Sequence, residues 1–255
     1  MKKRAQKRDK RERKRKRSKL SLLLKLLITI AVLAGLYFFA SSSYFNVTSF
    51  EVSGNSYYTE EEILIMGGCQ TGGNIFWGSD VGQIRERLER DAYMEKVKIR
   101  RALPNTIKIE LTERKQVAAV VYDDNYAVID EDGLVLRKSS VAPHLPLIQG
   151  LTISRLEVGQ KLEVEESVRL RQVMEIVKVM EDYDMYFIRI AMSESDVKAY
   201  VFENLICQGS PKDLIEAMEK NELQKVIRKL LDDKIERGTL MVSGDSYISF
   251  SPEIA

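Results

Sequence analysis

Fifteen consecutive residues from Leu26 to Ala40 carry no charge, and they follow a segment whose first 19 residues hold 13 basic and 2 acidic side chains. With its flanks the apolar run reaches about 20 residues, enough for a helix to cross a hydrocarbon core of ~30 Å. Such a helix has no polar face to offer water, so it constrains where everything else in the chain can lie. Lys25 sits at the basic end, where its stem can snorkel and leave the ammonium among headgroups. The anchor is read over 25–44, with Lys25, Leu26, Leu27, Ile28, Ile30, Val32, Leu33, Leu36, Phe38 and Phe39 as its membrane residues. Tyr37, Phe38, Tyr44 and Phe45 crowd the far end, as expected of an aromatic belt.

The formal net charge of +2, from 40 basic and 38 acidic residues, conceals a split across this segment. Residues 1–19 are net +11, whereas the chain from Leu26 onward has 26 basic and 36 acidic residues, net −10. The positive-inside rule places residues 1–24 in the cytoplasm as a basic tail and the rest outside, a single-pass topology. A cleaved signal peptide is the competing reading, with Ala40 to Ser43 as small residues at the cleavage site. The long basic segment and the spanning length of the apolar run favour the anchor. The tail is a solvated segment that grips anionic lipid at about 1 kcal/mol per basic residue near the surface. No aromatics interleave with its charges, so a base-stacking platform is unsupported and no nucleic-acid partner is expected.

Behind the anchor, alternation from Phe45 to Val52 implies a strand that ends in the turn cluster Ser53-Gly54-Asn55-Ser56. Thr59 and Glu62 have the spacing of a capping box for a short helix closed by Gly67-Gly68. Ser79 is the expected cap of a second helix reaching about Arg90, with Val81, Ile84 and Leu88 on one stripe. Val97 to Arg100 and Ile107 to Leu111 alternate on either side of Pro104-Asn105, which reads as a hairpin. The order strand, helix, helix, strand, strand can close a three-stranded sheet under two helices.

These residues carry a resemblance. Val-Ser-Gly-Asn after the first strand, Asn74-Ile75-Phe76 between the helices, and the string Arg101-Ala102-Leu103-Pro104-Asn105-Thr106-Ile107-Lys108-Ile109-Glu110 running into Glu113-Arg114-Lys115-Gln116-Val117-Ala118 resemble the POTRA domain of the FtsQ/DivIB family of bacterial cell-division proteins. That family usually has proline where Val117 stands.

Beyond Ala118 the chain reads as a meander: Ala119 to Tyr122, Tyr126 to Ile129 and Leu134 to Leu136, joined by acidic turns at Asp123-Asp124-Asn125 and Asp130-Glu131-Asp132-Gly133. A loop with Pro143, His144 and Pro146 leads through Leu147 to Gly150 toward a helix over about 165–183, whose stripe is Val168, Val173, Ile176, Val177 and Met180. Strands follow at 187–191, 197–202 and 205–208. A helix opened by Ser210-Pro211 is expected to run to about Lys234, with Leu214, Ala217, Met218, Val226, Ile227, Leu230 and Leu231 on its face. Gly238 to Val242 and Tyr247 to Phe250, around Ser243-Gly244-Asp245, close the chain as a hairpin. This part is similar to the β domain of the same family, although Thr239-Leu240-Met241 stands where the family often has Asp-Leu-Arg.

The fold class is therefore a single-pass membrane protein with an α+β extracytoplasmic region. Its parts are a POTRA domain of order β-α-α-β-β over 45–114 and a mixed β-sheet domain with helices over 115–255. The residues supply no nucleophile with a base, no phosphate cradle and no metal set, so no enzyme and no cofactor is expected. His144 is the only histidine, and a lone histidine cannot build a His-rich metal site. The acidic turns lack the spacing of a twelve-residue calcium loop. Cys69 and Cys207 fall in different units outside the membrane; inert thiols are the expected reading, and a bridge between them, which would need two separately folded units to hold their Cα atoms within ~7 Å, is the alternative. Trp77 and the pair Tyr57-Tyr58 are either partner anchors or ordinary packing.

The resemblance implies a non-enzymatic scaffold at the division septum that binds DivIC/FtsB-like and FtsL-like partners and supports septal peptidoglycan synthesis, with no small-molecule substrate. The expected mechanism is strand addition at the edge Tyr247, Ile248, Ser249 and Phe250. A POTRA-containing chaperone or secretion component that binds unfolded strands is the alternative. A single POTRA unit directly behind an inner-membrane anchor, with no barrel-length series of strands, weighs against it. A cell-wall enzyme would need a catalytic constellation that these residues do not display.

Overall fold

The computed structural model describes residues 22–244 and 247–252. The basic tail up to residue 21 and part of the expected turn Ser243-Gly244-Asp245 lie outside the described residues. The chain divides into two compact units: the residues up to Leu88 with Val97–Leu111, and Glu89–Lys96 with the residues from Thr112 onward.

The first unit opens with helix α1 (Leu22–Ala40), a strongly apolar stretch of 19 residues that is exposed along almost its whole length. It starts before the expected 25–44 span and stops short of its end, because Ser43–Phe45 turn as a short 3-10 segment. Strand β1 (Ser49–Ser53), helices α2 (Glu60–Gly67) and α3 (Val81–Glu89), and strands β2 (Met94–Ala102) and β3 (Thr106–Glu113) follow, with the start of β2 and the last two residues of β3 counted in the second unit. The three strands form one sheet of order β1-β3-β2, with β1 parallel to β3 from Ser49 opposite Thr106 to Ser53 opposite Glu110.

The expected capping box at the start of α2 is present. The Glu62 N–H donates to the Thr59 hydroxyl at 3.3 Å, and the Thr59 N–H donates to the Glu62 carboxylate at 2.9 Å, so two orphan donors of the helix start are satisfied reciprocally. The two Thr59 hydrogen bonds, backbone first, hold the Glu62 carboxyl below its ordinary pKa. The second helix is capped differently from the expectation. Asp80, one residue past Ser79, accepts from Gly82 and Gln83 N–H at 3.0 and 3.1 Å, since a carboxylate at that place reaches both orphan donors. Ile63, Ile84, Leu88, Ile107 and Ile109 are buried, so the apolar alternation of β3 and the stripes of both helices form the core of this unit.

The second unit is a nine-stranded mixed sheet. Its strands are β4 (Ala118–Tyr122), β5 (Asn125–Ile129), β6 (Val135–Ser139), β7 (Leu147–Gln149), β10 (Arg189–Met192), β11 (Val197–Phe202), β12 (Leu205–Gly209), β13 (Gly238–Ser243) and β14 (Tyr247–Ser251). The spatial order is β14-β13-β12-β11-β10-β7-β4-β5-β6. β7 is parallel to both of its neighbours and β12 is parallel to β13. A separate two-stranded ribbon pairs β8 (Ile153–Arg155) with β9 (Glu163–Val164). Helices α4 (Ser167–Asp182), α5 (Pro211–Glu219) and α6 (Glu222–Asp232) complete the unit, with α4 against β10 and α5 against β12 and β13. Ile129, Ile148, Ile176, Phe187, Leu214 and Leu240 are fully buried in one core shared by sheet and helices.

Three expectations need correction. The segment Leu147 to Gly150, read as loop, supplies the strand that joins the two halves of the sheet. The helix expected from Pro211 to Lys234 is broken at Asn221, which takes φ 58° and donates its N–H to Met218 O at 2.9 Å. Asparagine tolerates this left-handed conformation, and the amide of Gln224 also donates to Met218 O, at 3.0 Å. Val168 is 59% exposed rather than on the α4 stripe, because it lies five residues before Val173, about 140° around the helix.

Candidate functional site

The C-terminal hairpin forms one margin of the nine-stranded sheet. β13 and β14 are antiparallel, with Met241 opposite Ser249 and Val242 opposite Ile248. Alternation divides the side chains of β14. Ile248 and Phe250 pack on the main core, whereas Tyr247, Ser249 and Ser251 are exposed. Tyr247 is 67% exposed, and Met241 of the neighbouring strand 43%. Gly238 opens β13 at φ 136°, where a Cβ would lie 2.6 Å from the Phe250 ring, so a glycine there lets β14 close down on the sheet. Among the described residues β14 pairs with β13 alone. Alternate backbone N–H and C=O groups along its other side are therefore left without a strand partner among the described residues.

The opposite margin, β6, is treated differently. Val135 N–H donates to Gln160 O at 2.9 Å, Gly159 N–H donates to Val135 O at 2.8 Å, and Leu134 bridges Lys161. Further along, Lys138 Nζ reaches Leu156 O at 2.9 Å. The turn that delivers the chain to β6 is organised by Asp130, which is 2% exposed. One of its carboxylate oxygens accepts the N–H groups of Asp132 and Leu134 at 3.0 and 2.8 Å, and the other accepts from Arg114 at 2.8 Å. The expected acidic turn is present, and it is built on a buried, paired carboxylate. A basic residue sixteen positions earlier is its only sequence signal.

Other residues singled out from the sequence are not brought together. His144 is exposed in its loop, and among the described residues no three His, Cys, Asp or Glu side chains lie close enough to hold a metal ion. Cys69 and Cys207 are both free. Burial pushes the Cys69 thiol up to about 11 against the opposing pull of Arg87, and pushes the Cys207 thiol up to about 12. Neither thiol forms appreciable thiolate near neutral pH, so neither is a ready nucleophile. Tyr57 and Tyr58 pack edge to face at 4.9 Å. Trp77 stacks on Tyr37 of α1, with ring centroids 5.6 Å apart.

An apolar N-terminal helix long enough to cross a membrane, a β-α-α-β-β unit and a mixed sheet with helices make up the architecture of a POTRA protein with one candidate membrane span. Residues 45–114 match the family model of the FtsQ-type POTRA domain. The cell division protein DivIB of Clostridium acetobutylicum is 30% identical over 197 residues, 75% of this chain and 78% of that protein. DivIB of Bacillus subtilis is 25% identical over 177 residues, 68% and 64% of the two chains. FtsQ of Syntrophotalea carbinolica is 29% identical over 149 residues, 56% and 52%. The chain belongs to the DivIB/FtsQ family of cell division proteins. The major extracytoplasmic domain of DivIB from Geobacillus stearothermophilus gives a TM-score of 0.29 at 13% identity, over 42% of this chain and 87% of that one, and adds nothing to the assignment.

Proposed function

We propose that the chain is a non-enzymatic scaffold of the division machinery that takes an extended segment of a DivIC/FtsB-like partner as a further strand along β14. An FtsL-like protein would join through that partner, and the assembly would support septal peptidoglycan synthesis. In this reading α1 spans the membrane through residues such as Leu26, Ile30, Leu33 and Phe39, the basic tail lies on anionic lipid in the cytoplasm, and both domains 45–114 and 115–255 lie outside. The observation that carries the reading is the contrast at the sheet margins: β6 is tied to its own chain at Val135, while β14 has no strand partner on its outer side among the described residues. Backbone pairing would supply affinity. Exposed Tyr247 and Ser249 on one face, and Ile248 and Phe250 on the other, would set register.

Neighbouring residues of an antiparallel strand aim their N–H groups to opposite sides. Of the variants Ile248→Pro and Ser249→Pro, one therefore removes a bond to β13 and the other removes only an outward donor. Pull-down of a DivIC/FtsB-like partner should be lost in the second kind while circular dichroism stays native. Native spectra with full binding in both variants would refute strand addition.

A further inference from the structure

The loop between α2 and α3 carries two large apolar side chains on its outside. Phe76 is 37% and Trp77 57% exposed. The loop itself is held firmly. Ile75 is fully buried and its N–H donates to Phe45 O at 2.8 Å, while Val47 N–H donates to Gly73 O at 2.8 Å. The Arg101 guanidinium donates to Ile75 O at 2.6 Å and to Ser79 O at 3.3 Å, tying the stretch on either side of Phe76 and Trp77 to β2. Gly78 approaches Asn74 so closely that a Cβ would lie 2.4 Å from its backbone N.

This rigid loop is joined to the end of α1. The Asn74 side chain donates to Ala40 O at 2.8 Å, satisfying a carbonyl that the helix terminus leaves without a partner, and its Oδ1 accepts the Phe76 N–H at 3.0 Å. Rings run on from there: Trp77 on Tyr37 at 5.6 Å, Phe76 on Phe45 at 5.3 Å, and Phe45 on Phe39 at 5.3 Å. Tyr37 lies three residues before Ala40, hence about 4.5 Å back along the helix axis. The 19 residues of α1 span about 28 Å, close to the thickness of a hydrocarbon core, so Tyr37 falls at the outer boundary of that core. A ring stacked on Tyr37 lies at the same depth. Indole is the side chain best suited to that layer, since its body is apolar and its N–H can meet headgroups.

We infer that Phe76 and Trp77 enter the outer lipid interface beside α1, so that the POTRA unit is seated on the membrane at this loop as well as tethered by its anchor. The inference rests on the reading of α1 as a membrane span. The occupant of the patch is the bilayer, because the exposed rings are continuous with the apolar surface of α1.

Trp77 is the only tryptophan in the chain, so its fluorescence reports the site without substitution. The intact protein would be reconstituted in vesicles of phosphatidylglycerol and phosphatidylethanolamine and recovered by flotation. The expected result is co-flotation, loss of most Trp77 fluorescence when the lipids carry a nitroxide at a shallow acyl position, and little loss on adding aqueous iodide. Strong quenching by iodide in floated vesicles would overturn the inference while leaving the anchor in place. Protection from both quenchers would overturn it too, assigning the ring to protein packing. Failure to float would remove the anchor reading and the inference with it.

Discussion

The two margins of the nine-stranded sheet meet the same physical problem and resolve it in opposite ways. An edge strand presents unpaired N–H and C=O groups that invite another chain. β6 is covered at its start by its own chain, where Val135 bonds both Gly159 and Gln160 through its backbone, and further along the Lys138 side chain reaches Leu156 O. β14 is five residues long, lacks such a cover among the described residues, and carries an exposed tyrosine. Among the described residues, the sheet therefore leaves a row of edge groups unpaired at β14, whereas the start of β6 is paired within the chain.

Breaking the cover should erase the contrast. Asp130→Ala leaves Arg114 without its buried partner and the N–H groups of Asp132 and Leu134 without an acceptor. A loss of about 3–4 kcal/mol is expected, measured by native-state hydrogen exchange in β5 and β6. The released β6 edge should also self-associate, visible as concentration-dependent sedimentation. Leu162→Ala acts one step further out. Leu162 is 5% exposed and its N–H donates to Gly133 O at 2.8 Å, so truncation should cost about 2–3 kcal/mol and loosen the segment over β6. Urea unfolding and the exchange rate of the Val135 amide would measure it. At the open margin, Gly238→Ala places a methyl group against Phe250 and the Ser251 carbonyl at a φ that L-residues resist. The expected cost is about 1–2 kcal/mol in thermal or urea unfolding, with partner affinity falling more steeply than stability because β14 itself is displaced.

Local features were legible in the sequence. The Thr59–Glu62 capping box, the β2–β3 hairpin, α4 and the closing hairpin all rest on short-range patterns that tertiary packing left intact. The features that escaped are those decided at long range. β7 is three residues long and follows Pro146, and only its pairing with Ala119 and Arg189, far away in the chain, makes it a strand. The break at Asn221 is hidden because the apolar stripe continues across it. Asp130 looks like turn chemistry until Arg114 is placed beside it. At the candidate site, the hairpin and its terminal position could be read directly. The contrast that gives the hairpin meaning could not, because the cover over β6 depends on a contact between Leu134 and Lys161 that no periodicity announces.

Hydrogen exchange on the intact chain, with and without a saturating DivIC/FtsB-like partner, tests the central claim most directly. Alternate amides in Tyr247 to Ser251 should exchange quickly in the free protein and become strongly protected in the complex, while the amides of β6 remain unchanged. Fast exchange along β14 that persists in a fully formed complex would contradict the account.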